Sequence, residues 1–164
     1  MKNIVLIGFM GSGKSTVADL LSKKLQRNCI ETDAVVLANS QRKSIGEIFA
    51  KDGEMRFREL ELEVSSHLGD RKDVVISTGG GMVINKLCID YLKQNGVVIY
   101  LETSFEVIEK RLKGDNTRPL FSDVKKARKL FQFRKHLYEE YEDFRITTDN
   151  QTAEEITNSI LKKI

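Results

Sequence analysis

At 164 residues, with 40% hydrophobic and 31% charged side chains, the chain has the length and composition of one globular domain with a substantial core. A formal charge of only +3, with Lys and Arg interleaved among Asp and Glu, argues against a nucleic-acid interface and for small anionic partners. No apolar stretch is long enough to span a bilayer, and the run after Lys2 is too short for a signal peptide. The isolated thiols Cys29 and Cys88 lack C-x-x-C spacing, so buried small hydrophobes in a reduced, cytoplasmic protein are expected.

Ile4-Val5-Leu6-Ile7 has strand length and runs into Gly8-Phe9-Met10-Gly11-Ser12-Gly13-Lys14-Ser15-Thr16, which satisfies G-x-x-x-x-G-K-[ST]. From Thr16 to Leu25 the apolar residues Val17, Leu20, Leu21 and Leu25 have helical spacing. Strand, glycine loop and helix in that order form a phosphate cradle. Gly11, Ser12, Gly13, Lys14, Ser15 and Thr16 supply backbone N–H groups and hydroxyls, Lys14 reaches the β and γ phosphates, and Ser15 is placed to ligate Mg²⁺.

Further strands are predicted around Cys29-Ile30, at 74–76, at 97–101 and near 145–147, and helices at about 14–26, 45–68, 86–95, 105–113, 123–144 and 152–163. Alternation of strands with helices predicts an α/β fold, a parallel five-stranded sheet covered on both faces, with the ligand at the carboxyl ends of the strands. The turn formers Gly114-Asp115-Asn116-Thr117-Arg118-Pro119 interrupt the pattern and predict a mobile lid over about 113–123.

Asp33 follows the second strand and reads either as the carboxylate that orients a hydroxyl nucleophile or as a helix N-cap. The third strand ends at Ser77-Thr78 without an Asp for the metal, which leaves Glu31 and Asp33 as the nearest candidates. The triplet Gly79-Gly80-Gly81 fits close backbone approach to a ligand, or else a tight turn. Arg58 and Glu61, three apart on a helix, form either a guanidinium fork held for a carboxylate or a solvated surface pair. Arg118 in the lid reads as closing on the transferred phosphoryl group or as a solvated loop residue, and Arg134 has a position that could face the cleft. Basic residues at the start of that last long helix and acidic ones at its end oppose the helix dipole, a hint of an anionic ligand near the lid. His67 and His136 have no evident partner and read as surface residues.

Taken together, the phosphate loop, Thr32-Asp33, Gly53-Glu54 with Phe57-Arg58 and Glu61, Gly79-Gly80-Gly81, Arg118-Pro119-Leu120, and Arg134 with Tyr138 closely resemble shikimate kinase, from about residue 3 to residue 148. The resemblance implies a single P-loop kinase domain over 1–164, a three-layer sandwich with a helical substrate-binding segment at about 33–62 and a lid. It implies Mg²⁺-dependent transfer of the ATP γ-phosphoryl group to the 3-hydroxyl of shikimate, in the route to chorismate and the aromatic amino acids. By position it makes Lys14, Asp33 and Arg118 catalytic and sets Arg111 against the adenine. Asp33, Arg58, Glu61, Gly79, Gly80, Gly81 and Arg134 would take the substrate, with Arg58 and Arg134 on its carboxylate and Glu61 positioning Arg58. The chain departs from the family pattern in having Glu31 where Asp is usual, no proline after Arg134, and Asn150-Gln151-Thr152 where an adenine-packing proline is often found.

Rival readings are a gluconate or nucleotide kinase on the same fold, which would not require two carboxylate-gripping arginines beside a glycine triplet, and a nucleotide-binding module without transfer activity, against which Lys14, Ser15, Asp33 and Arg118 stand intact. No dimer seam is evident, so a monomer is expected.

Overall fold

The computed structural model describes residues 1–113 and 123–164. The expected lid at about 113–123, with Arg118, therefore lies almost wholly outside the described residues.

Five strands, β1 (Asn3–Ile7), β2 (Asn28–Glu31), β3 (Val74–Ser77), β4 (Gly96–Glu102) and β5 (Phe144–Thr147), form one sheet in the order β2-β3-β1-β4-β5. Every pairing is parallel, with Leu6 aligned between Ser77 and Ile99, and Ile30 beside Ile76. Side chains alternate across the strands and divide the core in two. Ile4, Leu6, Val75, Ile99 and Leu101 pack with Val17, Ala18 and Leu21 of α1 (Lys14–Leu25) and with Ile156 and Ile160 of α8 (Ala153–Leu161). Val5, Ile7, Ile76, Val98 and Tyr100 face the other way, toward α2 (Thr32–Ser40), α4 (Gly53–Gly69), α5 (Lys86–Gln94) and α7 (Val124–Tyr141). Two shorter helices, α3 (Ile45–Lys51) and α6 (Phe105–Leu112), complete the layers.

The expected sheet is present, and the differences have local causes. A run expected as helix from 123 to 144 ends at Tyr141, because Phe144 pairs with Ile99 as the first residue of β5. The reversed charges of α7 are answered by an N-cap: the Asp123 side chain accepts from the Lys126 N–H at 3.1 Å. Cys88 is buried as expected, but Cys29 is exposed, since it sits on β2 at the sheet edge. His67 and His136 are exposed, as read. Among the described residues no helix is long and apolar enough to cross a membrane.

Candidate active site

β1 delivers the chain directly into the phosphate loop, where Gly11 and Gly13 stand at φ +78° and +93°. L side chains disfavour that left-handed region, and Gly13 is the N-cap of α1, so the glycines turn the loop and leave the first N–H groups of the helix facing the cradle. Lys14 is 8% exposed, and its Nζ donates to the carbonyls of Gly8 at 2.8 Å and Phe9 at 3.0 Å. The ammonium thus bridges its own loop at the floor of the cradle. A cavity of about 410 Å³ opens above it, bounded by the loop, Glu31, Asp33, Gly79, Gly80 and Arg111. Arg111 is fixed at the rim by donating to the Gly11 carbonyl at 3.0 Å. Gln151, Ala153 and Ile156 close the far wall, at the place where the sequence offers no proline.

Beside this cavity lies a second cluster. Asp33 is the second residue of α2, inside the first turn, and the N-cap position belongs to Glu31. Its role as an N-cap is thereby excluded. The Gly79 N–H donates to the Thr32 hydroxyl at 2.8 Å, which fixes the glycine triplet alongside Asp33. None of the three glycines has a positive φ, so a tight turn does not require them. Space does. A methyl group at Gly79 would lie 2.3 Å from Asp33 Oδ1, and one at Gly81 would lie 2.8 Å from Arg58 Nη1 and 3.1 Å from Arg134 Nη2. The triplet therefore runs in close contact with the carboxylate and both guanidinium groups.

The arginines are not solvated surface residues. Arg58 donates to Glu61 Oε2 at 2.6 Å and to Glu54 Oε1 at 3.1 Å, and Glu61 is 1% exposed. Burial pushes the Glu61 carboxyl above its ordinary range, although Arg58 pulls the other way. Burial also works against the Arg58 charge, and the Glu61 and Glu54 carboxylates more than offset it. Arg134 is 7% exposed, with its guanidinium 5.8 Å from the Phe9 ring centroid. Burial holds it below its ordinary value, and the nearby positive charge of Arg58 acts in the same direction. Arginine stays charged regardless, so the depression marks a place where negative charge is in demand. The Nε atoms of both arginines are buried without a hydrogen-bond partner. Two adjacent forks with orphaned donors fit an incoming carboxylate.

The residues also fit a hard divalent cation. Ser15, Glu31 and Asp33 line the cavity, and Ser77, aligned with Glu31 across the β2–β3 pair, has a buried hydroxyl without a partner. Among the described residues no group of three or more His, Cys, Asp or Glu could hold a metal. A site of one hydroxyl, nearby carboxylates and water, completed by phosphate oxygens, is the kind Mg²⁺ takes.

A phosphate cradle at the carboxyl edge of a parallel sheet, next to a carboxylate, a buried arginine and a half-buried one, defines a P-loop kinase of small anionic hydroxy compounds. The comparisons with known proteins narrow this class. The shikimate kinase family model matches residues 10–164. The chain is 40% identical to the shikimate kinase of Persephonella marina over 165 residues, covering 100% of this chain and 99% of that one. It is 42% identical to that of Caldicellulosiruptor bescii, covering 98% and 94%. Among solved structures, shikimate kinase from Acinetobacter baumannii in complex with shikimate superposes with a TM-score of 0.92 at 35% identity, covering 99% of this chain and 92% of that one. The chain belongs to the shikimate kinase family, ATP-dependent kinases that act on shikimate.

Proposed function

We propose that this chain transfers the γ-phosphoryl group of ATP to the 3-hydroxyl of shikimate, with the site residues in the following roles. Arg58 and Arg134 grip the substrate carboxylate, and Glu61 holds the Arg58 fork in place. Asp33 orients the attacking hydroxyl and takes its proton as the new O–P bond forms and the bond from Pγ to the ADP oxygen breaks. Lys14 leaves its loop carbonyls for the β and γ phosphates, and the backbone of Gly79 to Gly81 lies against the acceptor. Arg111 borders the base, together with Gln151, Ala153 and Ile156, and Arg118, outside the described residues, acts from the lid. Mg²⁺ would neutralise charge on the phosphates, with Ser15 as its protein ligand and Glu31 beside it. The unit is one kinase domain over 1–164, a cytoplasmic monomer without nucleic-acid or membrane partners.

The observation that carries this reading is the convergence of Asp33, Arg58 and Arg134 on the glycine triplet beside the phosphate loop. The test is ADP release with Mg²⁺ and ATP, comparing shikimate, gluconate and a nucleoside monophosphate panel with no acceptor. Turnover with shikimate alone is expected. Turnover with another acceptor and none with shikimate would overturn the reading, and silence with every acceptor would mark a module without transfer activity.

Arg58→Lys is expected to raise the shikimate KM about tenfold, because a point charge cannot replace a bidentate fork already tied to Glu61. Initial rates at varied shikimate measure this. An unchanged KM would remove Arg58 from the carboxylate site.

A further inference from the structure

We propose that Tyr138 is a positioning residue of the acceptor site: its hydroxyl holds the Gly80 carbonyl and so fixes the glycine triplet against Asp33, Arg58 and Arg134. The inference rests on the carboxylate-binding reading of those arginines. Tyr138 lies one turn after Arg134 on the same face of α7 and is fully buried. Its Oη donates to the Gly80 carbonyl at 2.5 Å. The positive charge of Arg134, one turn earlier on the helix, bears on the same phenol. The hydroxyl thus ties the helix that carries Arg134 to the glycine backbone that the fork faces.

The rest of the surroundings explains why the tie matters. The carbonyls of Gly79 and Gly81 accept from the N–H groups of Met82 and Ile84 at 3.1 and 3.0 Å, whereas the Gly80 carbonyl points to the tyrosine on another helix. Gly80 also packs on the phosphate loop, where a methyl group at Gly80 would lie 3.3 Å from the Met10 nitrogen. The Tyr138 ring is itself held, stacked on Tyr100 of β4 with centroids 5.1 Å apart and planes at 24°. A rigid ring on a sheet-backed support therefore sets the position of the turn between the two substrate sites.

The test is Tyr138→Phe, which keeps the ring stack and deletes only the hydroxyl, read by initial rates with each substrate varied and by thermal melting. The shikimate KM is expected to rise about five- to tenfold, in line with loss of one neutral hydrogen bond, while the ATP KM stays within about twofold. Tyr100→Phe, which leaves the Gly80 tie in place, is expected to leave both KM values unchanged. A lower melting temperature and kcat with an unmoved shikimate KM would reduce Tyr138 to a core residue and overturn the proposal, as would equal rises in both KM values. Arg134→Ala, measured in parallel, separates the two levels. A rise in shikimate KM with Arg134→Ala but none with Tyr138→Phe overturns only the tyrosine's role, whereas no rise with Arg134→Ala overturns the carboxylate reading beneath it.

Discussion

Asp33→Asn is expected to lower kcat about a thousandfold while ATP binding stays within about twofold, a magnitude within the range for removing a positioned general base. Asn keeps the size of Asp and still accepts a hydrogen bond from the attacking hydroxyl, but it cannot take the proton. The substitution sits in the first turn of α2, where loss of a negative charge costs at most about 1 kcal/mol through the helix dipole, so the fold survives. In the proposed site the phosphate loop and Lys14 carry ATP, and the Lys14 Nζ is held by the Gly8 and Phe9 carbonyls, which the substitution leaves in place. Steady-state rates with shikimate, set beside calorimetric titration with an ATP analogue, separate the two effects. A parallel loss in both would mean that Asp33 serves the nucleotide or its metal and not the hydroxyl.

The sequence carries its information unevenly, and the reasons are physical. The phosphate loop was legible because its chemistry lies in one contiguous stretch, with the apolar run of β1 before it and the helical spacing of α1 after it. The parallel five-stranded sheet followed from the alternation of short apolar runs with amphipathic helices, whereas its strand order is set by long-range pairings that no local pattern carries. The acceptor side was harder to read, since it is assembled from α2, α4, the turn after β3, and α7, which lie far apart along the chain. Spacing alone could place Arg58 and Glu61 on one helix face, but only the fold buries Glu61 and brings Arg134 across to Gly81. Thr32 and Tyr138 formed part of the family pattern without a role of their own, because their bonds to Gly79 and Gly80 are long-range. Gln151 stood out only as part of the stretch without the usual proline, and Ala153 and Ile156 gave no signal: ordinary residues after β5, they matter for where the last connection passes. Cys29 was misplaced because a run rich in apolar residues does not reveal whether its strand is central or at an edge.

Adding a single methyl group to the glycine triplet should divide catalysis from binding. Gly79 and Gly81 both have backbone angles open to any L residue, and the change to Ala narrows the unfolded ensemble, so neither substitution is expected to weaken the backbone itself. At Gly79 the new methyl would meet Asp33 Oδ1 at 2.3 Å, far inside contact distance, while the Gly79 nitrogen is held by Thr32. The carboxylate tip is the part that can yield, so Gly79→Ala is expected to lower kcat about a hundredfold with a small change in shikimate KM. At Gly81 the methyl would press on Arg58 Nη1 at 2.8 Å and Arg134 Nη2 at 3.1 Å and drive the forks off their common target. Loss of two charge-assisted contacts predicts a rise of about 30- to 100-fold in shikimate KM for Gly81→Ala, with the ATP KM unmoved. Both variants should melt at or near the temperature of the parent chain, so that lost activity is not lost fold. The same kinetic defect in both, or full activity in either, would mean that the triplet does not mediate between Asp33 and the arginine pair. A split into a kcat defect at one glycine and a KM defect two residues later is difficult to obtain from general disruption, because both methyl groups enter the same short turn.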